Sequence, residues 1–212
     1  MNDKKEIHKV STTERVVAFT FDDGPHPIYT KQLLDIFRDA GGKATFFMIG
    51  EQIDAFEETA ALVHAEGHEI GNHTYTHPFL TKITPEQALA ELERSDERIR
   101  RITGEPVKSF RPPYFDADEG IYKLAEQLGY HSVGALNLEA RDWEQPQPSV
   151  EYMAEQTRTT LDRGSIFIFH DGYGDRSRTV ETVRVLVKEL AAQGYRFVTA
   201  SELLALADRG SA

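Results

Sequence analysis

The stretch Arg15–Pro25, RVVAFTFDDGP, decides the fold. After Arg15 every residue to Phe21 is apolar or β-branched, the make-up of a buried strand. It closes on Asp-Asp-Gly-Pro, a turn signal that carries two adjacent carboxylates. Immediately downstream, Tyr29–Ala40 sets Leu33, Leu34, Ile36 and Phe37 on one helical face and stops at Gly41-Gly42. Lys43–Ile49 (KATFFMI) reads as a second strand, Ile53–Glu66 as a helix closed by Gly67, and His68–Gly71 as a short third strand.

The alternation continues to the end of the chain. Thr84–Ile102 is a helix with its own start signal: Thr84 as cap, Pro85 in the first helical position and Gln87 completing a capping box. Its ELERSDERIRR run is a solvated face of mixed sign. Strands are expected from Ser109–Arg111 and over Tyr130–Leu136, Ser165–Phe169 and Tyr195–Thr199. Helices are expected over Asp118–Leu128, Ser149–Leu161 and Thr179–Ala192, with Ser201 capping a last one. Repeated β/α units imply parallel strands with helices outside. The expected fold is therefore α/β, a single-domain distorted (β/α) barrel of seven or eight units, with a doubly wound open sheet as the alternative. Such barrels usually take about 250 residues. At 212 residues this chain has room for a missing or distorted unit. Residues 1–14 read as a polar N-terminal extension and residues 15–208 as the domain.

Composition removes several classes of function. No cysteine is present, so disulfides, thiolate metal sites and a cysteine nucleophile are excluded. The formal net charge is −11, which argues against nucleic acid as partner and against a polybasic membrane anchor. Met1–Ser11 is polar, with neither a signal-peptide core nor a spanning segment. That start suits a cytoplasmic protein or the trimmed form of an exported one. No G-x-S-x-G elbow marks a serine hydrolase.

The unusual polar residues gather where strands end. Asp22 and Asp23 follow the first strand, His73 and His77 the third, Arg111 the fourth, Asp142 and Trp143 the fifth, and His170 and Asp171 the sixth. In parallel barrels that rim is where active sites are built. His73 and His77, four apart, can aim both imidazoles at one point from a helical turn or a tight loop. With one carboxylate they make a three-ligand set that leaves positions open, the pattern of catalytic sites. Zinc fits best, and cobalt, nickel or iron are compatible. The other carboxylate is then free to move a proton, and His170 is a candidate general acid.

The segments TFDDG (Thr20–Gly24), HTYTH (His73–His77), RPPY (Arg111–Tyr114), RDW (Arg141–Trp143) and IFH (Ile168–His170) occur in this order. Together they resemble the NodB-homology polysaccharide deacetylases, carbohydrate esterase family 4. The resemblance implies a distorted (β/α) barrel that removes N-acetyl groups from a glycan, with one divalent metal. It implies Asp22 as base, Asp23, His73 and His77 as metal ligands, and Arg111 orienting Asp22. The Tyr114 N–H is the implied oxyanion donor, and Asp142 tunes His170, the acid. Trp143 and Ile168 wall the acetyl pocket. It also implies an extracellular or cell-surface setting. Two positions depart from the family pattern: Ile168 stands where Leu is usual, and Phe115 where Gly is frequent. Phe115 either offers an aromatic face to the sugar or restricts long polymers. His26 and Tyr173 flank the motifs and are candidates for the cleft. An O-acetyl xylan-type esterase and a non-catalytic glycan-binding module are the rival readings. The polymer, whether peptidoglycan, chitin, an exopolysaccharide or xylan, is left open.

Overall fold

The computed structural model describes residues 6–209. Its centre is β1 (Val16–Asp22), every residue of which is buried. Alternate side chains of β1 point to opposite faces. Val17, Phe19 and Phe21 pack outward into the main core, while Val16 and Ala18 join the smaller cluster inside the curled sheet. Thr20 and Asp22 continue that inner row towards the strand's carboxyl end.

The remaining strands are β2 (Thr45–Met48), β3 (Glu69–Asn72), β4 (Ser109–Phe110), β5 (His131–Ser132), β6 (Ile166–His170) and β7 (Arg196–Phe197). They run parallel in the order β5-β4-β3-β2-β1-β6, with β7 paired to the start of β1. The helices are α1 (Tyr29–Asp39), α2 (Gly50–Ala55), α3 (Glu57–Ala65), α4 (Pro85–Thr103), α5 (Glu119–Gln127), α6 (Val150–Thr159), α7 (Ser177–Ala192) and α8 (Ala200–Arg209). Aromatic rings fill the layer between sheet and helices: Phe19 meets Phe37 of α1 at 5.7 Å, Phe167 at 5.3 Å and Phe197 at 5.8 Å between centroids. These edge-on contacts are the favoured aromatic geometry. The result is the distorted barrel expected from the alternation, and the open doubly wound alternative falls away. Among the described residues no helix is long and apolar enough to cross a membrane.

The end strands of this sheet, β5 and β6, are joined through residues 7–10. Ile7 donates its N–H to Ser132 and accepts from Gly134, while His8 accepts from Ile166 and Val10 donates to Gly164. Val10 is buried in the inner cluster. The segment read as an extension thus supplies the seam of the barrel; its first residues, 1–5, lie outside the described part. Local sequence hides this, because the segment offers only Ile7 and Val10 as apolar positions, and its backbone bonds and the side-chain bonds of His8 to Ala135 and of Lys9 to Asp162 reach partners far along the chain.

Other differences are local. The helix expected over Ile53–Glu66 is two helices broken at Phe56, whose φ of −135° and ψ of 46° are not helical. The strand expected over Tyr130–Leu136 pairs regularly only at His131–Ser132. The last helix is capped by Thr199, whose hydroxyl accepts from the Glu202 N–H while the Glu202 carboxylate accepts from the Thr199 N–H. Ser201 instead bonds Glu69.

Inside the barrel, Phe47 fills the axis. A side chain at Gly71 would meet the Phe47 ring at 2.5 Å, so only glycine fits there. Above Phe47 lies the fully buried Arg111, its guanidinium carbon 4.4 Å from the ring centroid. An unpaired guanidinium in this place would cost several kcal/mol. Arg111 is instead bonded to the Val133 and Gly134 carbonyls at 3.0 and 2.9 Å, to Thr20 Oγ1 at 2.8 Å and to Asp22 Oδ1 at 2.7 Å.

Candidate active site

Arg111 is the floor of a cleft at the carboxyl ends of the strands. The cavity there has a volume of about 620 Å³ and is lined by Asp22, Asp23, His73, His77, Tyr114, Phe115, Trp143, Ile168 and His170, among others. Arg111 and Asp142 stand directly behind the lining, bonded to Asp22 and His170. The polar residues singled out in the five motifs therefore meet in one place, although they come from five separate strand ends.

Three of them form a tight group. One ligand atom each of Asp23, His73 and His77 lies within 4.8 Å of the others. The two Nε2 atoms are 3.2 Å apart, and Asp23 Oδ1 is 3.5 Å from that of His73 and 3.2 Å from that of His77. His73 Nδ1 sits 2.7 Å from the Arg111 carbonyl oxygen, which accepts only a proton-bearing nitrogen. That contact fixes the tautomer and leaves the His73 Nε2 lone pair facing the group. Asp23 Oδ1 is buried without a hydrogen-bond partner. Burial alone would raise the Asp23 carboxyl, but the His73 and His77 imidazoles and the nearby His170 outweigh it and hold the group well below the usual carboxylate range. A buried anionic oxygen without a hydrogen-bond partner and two imidazole nitrogens whose contact is with each other converge in a way that fits a bound cation.

The loop from His73 to His77 is not a helical turn. Thr74 and His77 have φ of 67° and 60°, and the loop is held from outside. The Glu91 carboxylate accepts from the N–H groups of Tyr75 and Thr76 at 2.9 and 2.7 Å, and Asn72 Oδ1 accepts from the Thr74 N–H at 2.8 Å. Among the described residues, the other non-glycine positions with positive φ are Asp23, Tyr114, Phe115, Arg141 and Tyr173. All of these belong to loops around the cleft. A left-handed conformation costs such residues roughly 1–2 kcal/mol each, and strain of this kind collects where side chains are aimed for function. Phe115, with φ of 54°, occupies a backbone state that suits glycine.

The opposite wall is closed on itself. Asp142 takes His170 Nδ1 at 2.7 Å on Oδ1, and the His170 N–H at 2.8 Å and Thr179 Oγ1 at 3.0 Å on Oδ2. The Asp142 carbonyl accepts from Gln147 at 2.9 Å and from buried Arg176 at 2.8 Å. Burial opposes a charge on His170, but the Asp142 carboxylate, with Asp23 and Asp22 beyond, overrides it and pushes the pKa up to about 9. Trp143 is 42% exposed at the rim, 5.7 Å from the His170 ring, and is not a core residue.

Sequence reasoning placed Asp171 at a strand end but gave it no role, and it did not find the other supports. Asp171 is buried beneath the first turn, its Oδ2 receiving the Thr30 hydroxyl and its Oδ1 without a partner. Burial, with the charges of Asp23 and Asp22, drives its pKa up to about 7. Arg176, Thr179, Gln147 and Glu91 are silent in the sequence, because each has a partner distant in the chain: Asp142 for Arg176 and Thr179, Thr179 for Gln147, and Tyr75 for Glu91. His26 and Tyr173 are not in the cavity lining. His26 Nδ1 instead accepts from the Ile28 and Tyr29 N–H groups at the start of α1.

Comparison with known proteins agrees with this geometry. The polysaccharide deacetylase family model matches residues 9–133. A peptidoglycan-N-acetylglucosamine deacetylase of Bacillus cereus is 38% identical over 197 residues, covering 92% of this chain and 91% of that protein. A chitin deacetylase of Colletotrichum lindemuthianum is 32% identical over 204 residues, covering 91% and 81%. Among solved structures, a family 4 acetyl xylan esterase from Clostridium thermocellum, in complex with a cobalt ion, superposes with a TM-score of 0.82 at 30% identity, covering 90% of this chain and 91% of that one. The match over most of the chain and the five converging motifs lead to one assignment: the chain belongs to the polysaccharide deacetylase family.

Proposed function

We propose that this protein hydrolyses the N-acetyl groups of an amino-sugar glycan of peptidoglycan or chitin type, releasing acetate. The observation that carries the reading is the meeting, in one cleft, of three groups. They are the Asp23–His73–His77 cluster, an Asp22 carboxylate held by Arg111, and a His170 held by Asp142.

Asp23, His73 and His77 are the residues that would hold the divalent cation, zinc by the mixture of donors, with cobalt or nickel compatible. When bound, it supplies Lewis-acid polarisation of the acetyl carbonyl and lowers the pKa of water. Asp22 is the base. Arg111 occupies its Oδ1, so Oδ2, 3.8 Å from His73 Nε2, is the atom that receives the proton of the attacking water. The Tyr114 backbone N–H offers a hydrogen bond to the oxygen that becomes negative. Ile168 and Trp143 enclose the methyl group and keep bulk water from it. His170 gives the Nε2 proton to the departing nitrogen, a transfer worth about 10²- to 10⁴-fold.

A histidine pushed up to about 9 carries its proton at neutral pH, which favours amide over ester substrates. An amine leaves only if protonated, whereas an alcohol leaves with less help. The esterase reading predicts that His170→Ala keeps most activity on acetylated xylan; the amide reading predicts that it loses activity on N-acetylated glycans. The direct test is acetate release from peptidoglycan and from N-acetylglucosamine oligomers, before and after chelation and metal add-back. Acetate release that survives complete metal removal, or its absence from every N-acetylated glycan tried, would overturn the proposal.

A further inference from the structure

The aromatic rim of the cleft extends beyond the groups that do chemistry. Phe79 and Tyr114 are 49% and 57% exposed, and their rings are stacked, centroids 4.0 Å apart and planes 12° from parallel. Tyr114 also meets His77 edge-on, with centroids 4.6 Å apart and planes at 65°. A row of rings thus runs from a residue of the His-Asp cluster, through Tyr114, out to Phe79. Tyr114 lines the cavity and Phe79 does not, so the stack straddles the cavity mouth.

Neither ring is on a loose tip. Leu80, beside Phe79, is buried in the core. Thr81 donates its N–H and its hydroxyl to the Asp116 carboxylate at 2.8 and 2.7 Å. This latch ties the segment that carries Phe79 to the segment that carries Tyr114. Tyr114 is held at φ of 59°, a state that aromatic residues rarely adopt. An aromatic pair kept half in water on a braced support forgoes burial, and such exposed apolar patches mark binding surfaces.

We propose that the Phe79–Tyr114 stack is a subsite for the sugar ring next to the one being deacetylated. This rests on the glycan reading of the cleft and adds a length dependence to it. A pyranose has C–H groups on its faces and hydroxyls at its edges. An aromatic platform covers such a face and leaves the hydroxyls in water. An anionic partner is disfavoured by the chemistry nearby. Among the described residues no lysine lines the cavity, and its Arg141 is engaged by Glu139 at 2.6 Å. Because the platform lies at the mouth, its occupant is the neighbour of the reacting sugar rather than that sugar itself.

The test is calorimetric binding, read without turnover, in the Asp22→Asn background and its double variant with Phe79→Ala. The probes are N-acetylglucosamine, its hexamer, and peptidoglycan glycan strands with and without their peptides. The expected result is binding of hexamer and peptide-free strands weakened about fivefold by Phe79→Ala, binding of the monosaccharide unchanged, and recovery in Phe79→Trp. An unchanged melting temperature shows that the variant is folded. The subsite is overturned if hexamer and peptide-free strands bind equally well without Phe79. It is also overturned if the monosaccharide weakens as much as the hexamer, or if weakening occurs only on strands that carry peptides, which would make the occupant a peptide. Absence of acetate release by the protein with Asp22 intact and metal added, with length-dependent binding retained, would instead overturn the deacetylase reading and leave the subsite standing.

Discussion

Asp23, His73 and His77 on one side of the cleft, and His170 with Asp142 on the other, differ in what their polar atoms are given. On the first side an anionic oxygen is buried without a partner, and two imidazole nitrogens face each other at 3.2 Å. On the second side both oxygens of Asp142 and its carbonyl are occupied by His170, Thr179, Gln147 and Arg176. The first wall has the donors of a cation site, which the proposed function fills. The second is complete from the chain's own residues, and its product is a histidine that carries a proton at neutral pH. The contrast gives each wall its own signature: one responds to metal, the other to pH.

The largest effect is expected on the first wall. Asp23→Ala or His73→Ala removes one of three donors, and activity falls by roughly 10³-fold or more, since the cation's contribution amounts to several kcal/mol. Thermal denaturation sharpens the point. Saturating metal stabilises the wild type by mass action, about 2.7 kcal/mol at a hundred times the dissociation constant, and leaves the ligand variants unmoved. A His73→Ala protein that still gained stability from zinc would show that the cation sits elsewhere. Next in size is Asp22→Asn, which keeps the shape and the Arg111 contact but removes the proposed base. It should cost on the order of 10²- to 10⁴-fold in kcat with metal affinity nearly intact.

The second wall is probed by Asp142→Asn. The pKa of His170 is raised in the folded protein, so the bond to Asp142 contributes stability fully below about pH 6.5 and loses it as the pH rises through about 9. Asn at position 142 removes the charge that holds the proton. The His170 pKa, followed by NMR of the metal-free protein, should fall towards its ordinary value, and the alkaline limb of kcat should move to lower pH. An effect of about 10- to 100-fold is expected at neutral pH. A cation on Asp23 cancels part of the field that Asp23 exerts on His170. The alkaline limb of the loaded wild type should accordingly lie below the value found without metal. Identical values with and without metal would mean that the two walls do not sense each other.

Much of this was legible in the sequence, and for identifiable reasons. The Thr84–Gln87 capping box and Pro85 fixed the start of α4 from four residues alone, and both reciprocal bonds are present. The strand ends were readable because apolar runs stop at charged residues, and the cleft's chemistry sits at those stops. What stayed hidden depends on partners distant in the chain. The Phe56 break carries no glycine or proline to mark it. The seam at residues 7–10 is made by backbone bonds to strands more than a hundred residues away. Glu91 looks like one more charge on a solvated helix until the His73–His77 loop is found bonded to it. Asp171 was visible as a rim residue, but nothing local says that its carboxylate points down into the protein.

Asp171 connects the two walls, and it gives the smallest and most discriminating prediction. It follows His170 on the second wall and packs against the turn of the first: a side chain at Gly24 would meet its carboxylate at 2.5 Å. Its pKa rises from 3.8 to about 7, by burial first and then by the charges of Asp23 and Asp22. The folded state therefore binds a proton that the unfolded chain releases, and stability falls as pH climbs from about 4 to about 7. Asp171→Asn has no charge to desolvate and can still accept the Thr30 hydroxyl. In the metal-free protein it should melt at nearly the wild-type temperature at pH 4, and higher than wild type at pH 8. The gain is bounded by about 4 kcal/mol, the value of the whole shift. Part of the penalty comes from Asp23, so metal on the first wall should shrink the gap at pH 8. A gap that is the same with and without zinc would assign the penalty to burial alone and separate Asp171 from the first wall. A gap that narrows would make this carboxylate the electrostatic link between the cation side and the proton side of the cleft.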